Sequence, residues 1–284
     1  MSPGIGYALG AMLLFGLGDL VYKRGAAAGA EPHHLLMVQT WVFLPTVTLY
    51  ALVTGTLRFD AGTLWGALAG VFVLTGFYNF AHSLKSGSIS INAPVFRLSF
   101  VITAALAFVL LGEPLTAYKI AGIALALAAV WLLLGAPAGA AAARRESRSS
   151  LARVLLATGA VGIGNVIYKY GLRAGSAPAS LIVVQSIVVV TLATAFAAAV
   201  DGRIRPSGAA LRYAPVAGVA LAFAFAFLVE SLARGEASVM VPIAQMGFGV
   251  TALLGFVFLH EPFTARKAAG LAAALAALAS LAKG

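Results

Sequence analysis

The chain has 284 residues, of which 61% are apolar and 10% charged, and it has no cysteine. Soluble domains carry about 25% charged residues, so this chain cannot cover its surface with water-compatible groups and reads as an all-α integral membrane protein. The absence of cysteine excludes disulfides and thiolate metal sites. Nineteen basic and nine acidic residues give a net charge of +10. The basic residues lie between apolar runs, so the excess points to an anionic membrane face and not to nucleic acid.

A helix crosses the apolar core of a bilayer in about 20 residues. The sequence offers ten such runs, in order Gly4–Tyr22, Leu35–Val53, Thr63–Leu84, Ile89–Leu111, Ala117–Leu134, Arg153–Tyr170, Ala179–Val200, Tyr213–Leu232, Val239–Leu259 and Arg266–Ala282. They are apolar on every face, as in Ala121–Leu134, where barrel strands would alternate. Ala28–Ala30 loosely resembles a leader cleavage site, yet no positive segment precedes the first run, which is therefore read as a retained span.

That first run recurs in mid-chain. Gly16-Leu-Gly-Asp-Leu-Val-Tyr-Lys-Arg-Gly25 lies over Gly162-Ile-Gly-Asn-Val-Ile-Tyr-Lys-Tyr-Gly171, an offset of 146, and the match continues through Pro32/Pro178 and Gln39/Gln185. Later the offset is 148, with Gly87–Pro94 over Gly235–Pro242 and Glu113–Lys119 over Glu261–Lys267. The expected organisation is a five-helix repeat at 1–135, a flexible linker at 136–152 and a second five-helix repeat at 153–284. Five is odd, so the second repeat must cross the membrane in the opposite sense. Inverted helical repeats are the usual build of secondary transporters, which hold their substrate near mid-membrane.

The turn Leu111-Gly-Glu-Pro-Leu-Thr116 and its echo Leu259-His-Glu-Pro-Phe-Thr264 resemble the EamA-type branch of the drug/metabolite transporter superfamily, over essentially the whole chain. The resemblance implies solute transport by alternating access, often export of amino acids, metabolites or toxic compounds, with both termini cytoplasmic. His260 departs from the pattern, standing where the first copy has Gly112. The Glu-Pro turn also has a plain structural reading: proline ends one helix and Thr116 or Thr264 caps the next.

Ionisable side chains inside a membrane are costly, and each is a functional hypothesis. Arg97 lies nine residues into span four, about 13 Å along its axis, and its counterpart is Gln245. Pro94 and Pro242 precede the two and can kink their helices. Arg97 is expected either to bind an anionic group or to pair with Glu230, Asp19 or helix carbonyls. Asp19 and Lys23 are one turn apart, with Asn165 and Lys169 as counterparts, and either couple ions or snorkel at a span end. Tyr22 and Tyr168 precede the lysines as interfacial anchors or part of the solute path. Asn79, His82 and Lys85 form one polar stripe. Glu230 and His82 are candidates for proton coupling, and Glu230 alternatively neutralises Arg97 or Arg234. Gln39, Gln185, Asn165 and Gln245 are expected to line the site. Gly6-x-x-x-Gly10 and Gly66-x-x-x-Gly70 read as close helix contacts. His33-His34 beside Glu31 lacks a metal-binding spacing, so no metal is expected.

With the amino terminus on one side, six basic residues share that side and twelve face the other, which holds the linker. By the positive-inside rule the linker is cytoplasmic and the termini external, opposite to what the resemblance implies. A reporter fused to Gly284 separates the two. The expected activity is secondary transport of small amino-acid-like or metabolite-like solutes, outward, with no enzyme chemistry, prosthetic group or Walker motif. The alternatives are proton-coupled export of cationic drugs and a non-transporting membrane partner. The expected partners are the bilayer of the cell membrane, a solute and protons, with a monomer sufficient because both halves share one chain.

Overall fold

Proline opens three of the helices. Pro3, Pro32 and Pro178 stand in the first turn, where the missing N–H costs nothing and the fixed φ suits the helix. Threonine opens two more: Thr116 Oγ1 and Thr264 Oγ1 accept from the backbone N–H of Lys119 and Lys267 at 3.2 and 3.3 Å, as read for the Glu-Pro turns. Gly29 and Gly175, counterparts in the two repeats, take φ of 80° and 91° after their helices end, a region that favours glycine.

The computed structural model describes residues 2–86, 92, 95–134, 148–259 and 264–284. Among them run α1 (Pro3–Ala27), α2 (Pro32–Val53), a 3-10 turn (Ala61–Thr63) leading into α3 (Leu64–Ser86), α4 (Ser99–Leu111), α5 (Ala117–Leu134) and α6 (Arg148–Arg173). The chain continues through α7 (Pro178–Asp201), α8 (Gly208–Arg234), α9 (Ala237–Gln245), α10 (Gly247–Leu259) and α11 (Ala265–Leu281). α9 and α10 form one span. Pro94, His260, Glu261 to Phe263, most of the linker and the side chain of Lys85 lie outside the described residues.

Among the described residues, seven helical spans are long and apolar enough to cross a membrane, and Val95–Leu111 and Ala117–Leu133 are shorter apolar ones. The outer surface carries Val53, Val109, Trp131 and Leu275 at 67–79% exposure. Water would make such a surface a liability, and lipid does not. Several helices overrun the apolar runs: α1 continues past Tyr22 to Ala27, and α8 starts at Gly208, not Tyr213. A helix need not stop where hydrophobicity does, since its backbone stays satisfied into the headgroup region.

The packing partners establish the inversion. The counterparts α2 and α7 run antiparallel, with His33 and His34 at the start of one against Asp201 at the end of the other, and Trp41 Nε1 on Thr194 Oγ1 at 2.9 Å between them. The counterparts α5 and α11 do the same, with Ser280 bonded to the Tyr118 carbonyl at one end and Arg266 to the Trp131 carbonyl at the other. Helices pack chiefly on helices of the other repeat: α1 on α8 as α6 on α3, and α2 on α8 as α7 on α3. The halves are interleaved. Gly66 and Gly70 let α3 approach the α7 backbone, and Gly10 abuts Phe227, whereas a Cβ at Gly6 would meet only open space. Gly6 is therefore not the packing device that its spacing suggested.

Candidate functional site

The two repeats tighten a helix at matched places. The N–H of Leu98 donates to the Val95 carbonyl at 3.0 Å, and that of Met246 to the Ile243 carbonyl at 3.2 Å. Both pairs are separated by the repeat offset of 148. Arg97 and Gln245 are the third residues of these two turns, and Arg97 Nη1 donates to Gln245 Oε1 at 3.5 Å. Arg97 Nη2 also pairs with the Asp19 carboxylate of α1. Of the partners weighed for Arg97, Asp19 is the one it takes.

A matched bracket holds this cluster in both repeats. Thr251 Oγ1 donates to the carbonyls of Gly16 and Gly247 at 3.1 and 3.0 Å and lies 3.4 Å from Asp19. Its counterpart Thr103 donates to the carbonyls of Gly162 and Ser99 at 3.2 and 3.0 Å and accepts from Asn165 Nδ2 at 3.2 Å. The close approach requires glycine: a Cβ at Gly16 would stand 2.7 Å from the Gly247 oxygen, and one at Gly162 3.0 Å from the Ser99 oxygen. Asn165 is thus turned onto Thr103 and buried, as Asp19 is turned toward Arg97.

A cavity opens between α2, α3, α7 and α8. Four pairs of repeat counterparts line it: Gln39 and Gln185, Thr40 and Ser186, Phe43 and Val189, Phe77 and Phe225. It therefore straddles the axis that relates the halves. Tyr168 is fully buried and gives its hydroxyl to Gln185 Oε1, whereas the buried Gln39 Oε1 has no partner among the described residues. Phe77 packs on Phe96 at 5.9 Å between ring centroids, one residue from Arg97. Thr40, Ser186, Phe77, Phe225, Thr103 and Thr251 are absent from the sequence reading. The repeat register would have found them, because each falls opposite a residue of like kind.

The profile of the EamA-like transporter family matches residues 2–135 and again residues 148–282. The chain belongs to that family. A crystal structure of a protein with 18% identity superposes with a TM-score of 0.84, covering 99% of this chain and 98% of that chain, and shares its fold. No curated protein matches the sequence.

The remaining polar residues of this EamA-like transporter sit away from the Arg97 cluster. Buried Glu230 pairs with Arg234, one turn on, and Arg234 covers the Tyr7 ring at 4.7 Å. Lys169 Nζ donates to the carbonyls of Leu232 and Gly235 at 2.6 Å each, closing the carboxyl end of α8. Lys23 is exposed near the end of α1, and Tyr22 is half-buried. Asn79 receives Arg153 at 3.3 Å, while His82 lies against the Tyr78 ring at 5.7 Å. Tyr168 is thus no interfacial anchor. Glu113 of the Glu-Pro turn has a role that its motif did not reveal: its carboxylate accepts from the N–H groups of Ala237 and Ser238 at 2.7 and 2.8 Å, capping α9 across the repeats.

Proposed function

We propose that this protein is a secondary transporter of the cell membrane that exports small, uncharged-to-zwitterionic organic solutes by alternating access. The observation that carries this reading is the cavity on the repeat axis, lined by paired residues of both halves. Its walls are the phenyl rings of Phe43, Phe77 and Phe225 with the aliphatic side chains of Leu36, Val73, Leu74 and Val189, and its polar residues carry two amides and two hydroxyls. Such a lining suits a solute with an apolar body and a hydrogen-bond donor, which the unpartnered Gln39 oxygen would accept. Binding sites of this kind place few polar groups among many apolar ones.

The interleaved packing favours two moving bodies that each mix the repeats, one of α1, α2, α8, α9 and α10, the other of α3, α4, α6 and α7. The Asp19–Arg97 pair and the Arg97–Gln245 contact join these bodies. Protonation of Asp19 would free Arg97 for an anionic group of the solute, which makes Asp19 the coupling group in this reading. Glu230 is committed to Arg234, so neither carboxylate stands ready for a cationic drug.

The test compares medium and cytosol by mass spectrometry in cells expressing wild type, Arg97→Ala, Gln39→Leu or an empty vector. A solute exported by wild type and retained by both variants supports the reading. Export that is identical in wild type and empty vector for every solute, on uptake as well as efflux, refutes it.

A further inference from the structure

We propose that His33, His34 and Asp201 form a binding site for a divalent transition-metal ion of the zinc type, which fastens α2 to α7 at one membrane face. Adjacent histidines usually project apart. Here they occupy the first turn of α2 behind Pro32, their rings 4.4 Å apart and tilted by 53°. Both Nε2 atoms reach the same carboxylate, His34 at 2.6 Å and His33 at 3.2 Å. Asp201 is the last residue of α7, where Gly202 at φ 69° turns the chain away. The three ligand atoms lie within 4.8 Å of one another.

The chemistry fits a borderline-soft divalent ion. Two imidazoles and one carboxylate make a common three-ligand zinc set, with metal–ligand distances of about 2.0–2.2 Å and a fourth position for water. Ligand atoms around such an ion stand about 3.3 Å apart, close to the His33–Asp201 separation, so small side-chain rotations complete the site. Calcium and magnesium prefer all-oxygen sets. The imidazoles are half-buried and Asp201 is exposed, so an ion reaches the site from solution. The sequence could not reveal it, because the third ligand lies 167 residues from His34.

The consequence rests on the transport reading. α2 and α7 are repeat counterparts assigned above to opposite moving bodies, and Trp41–Thr194 already sets their register. An ion shared between His33, His34 and Asp201 would fasten the two bodies and arrest the cycle, making metal an inhibitor at that face.

Tag-free protein in detergent, stripped with EDTA, would be titrated with Co2+ while its visible d–d absorption is followed, then challenged with Zn2+. One ion per chain and a raised thermal midpoint with Zn2+ are expected. Both affinities should fall by more than about 100-fold in His34→Ala and in Asp201→Ala, beyond the roughly 10–100-fold that loss of an outer partner costs. A wild-type protein with no cobalt band and no zinc shift overturns the site, as does binding that persists in Asp201→Ala. Vesicles loaded with the exported solute then test the lock. Zinc should abolish wild-type flux and spare Asp201→Ala, and unchanged flux at saturating zinc overturns the lock while the site stands. Flux absent without zinc would count against the transport reading alone.

Discussion

Arg97 touches Gln245, its own counterpart in the other repeat. Counterparts that meet must lie on the axis relating the halves, and an axis that inverts them runs in the plane of the membrane. The contact therefore lies on that axis. On one side of it the bracket holds an ion pair, Asp19 and Arg97; on the other the equivalent positions hold two amides, Asn165 and Gln245. The scaffold is symmetric and its charge is not.

That asymmetry predicts a compensating pair of substitutions. Arg97→Gln leaves the Asp19 carboxylate without its cation and should cost about 1–3 kcal/mol. The figure is lower than for a fully buried pair, because the Asp19 side chain keeps 34% exposure. Adding Asp19→Asn makes the first repeat match the second and should restore most of the loss. Thermal unfolding of the four proteins gives the coupling directly. Additive losses in the double variant would mean that the two residues do not act as a pair.

The bracket glycines should tolerate no side chain. Gly16→Ala places a Cβ 2.5 Å from Val250 Cβ and 2.7 Å from the Gly247 oxygen. Overpacking of this kind costs about 1–3 kcal/mol. Gly159→Ala, also helical but with nothing within 4 Å, should be neutral or gain about 0.5–1 kcal/mol. Equal midpoints for the two variants would show that α1 and α10 can separate without penalty.

Glu113 should prove structural. Its carboxylate satisfies two N–H groups at the start of α9, where the helix dipole also favours negative charge. Glu113→Ala leaves both donors buried without it and should cost about 2–4 kcal/mol, and Glu113→Gln about half of that. Flux per folded molecule should stay near wild type in Glu113→Gln. A stable variant with lost flux would move Glu113 from scaffold to mechanism.

Much of this was legible before any coordinates. The helical spans, the inverted repeat and the placement of Arg97 within a span follow from apolar runs and from one alignment of the chain with itself. Partner choice was not legible. Asp19 and Lys23 are neighbours on one helix face, yet the Asp19 carboxylate turns to Arg97, 78 residues away, because α9 packs on both α1 and α4 and brings span four alongside. Glu230 had Arg97 and Arg234 as candidate partners and takes Arg234, one turn along its own helix, the pair that local spacing offered. The Glu113 cap was hidden because the N–H groups it accepts from begin a helix of the other repeat. Pairing across interleaved halves depends on tertiary contacts that no local spacing encodes.

The two cavity glutamines should separate stability from transport. Gln185 is part of the protein's own bonding, since removing its oxygen strands the buried Tyr168 hydroxyl. Gln185→Leu should therefore destabilise by about 1–3 kcal/mol. The buried Gln39 oxygen has no partner among the described residues, so Gln39→Leu removes an unmet acceptor and should leave the midpoint unchanged or higher. If that oxygen meets a donor on the solute, Gln39→Leu should lose flux about tenfold, the worth of one hydrogen bond of about 1.4 kcal/mol. A stable Gln39→Leu protein with full flux would take Gln39 out of the solute's path and leave the cavity as packing space.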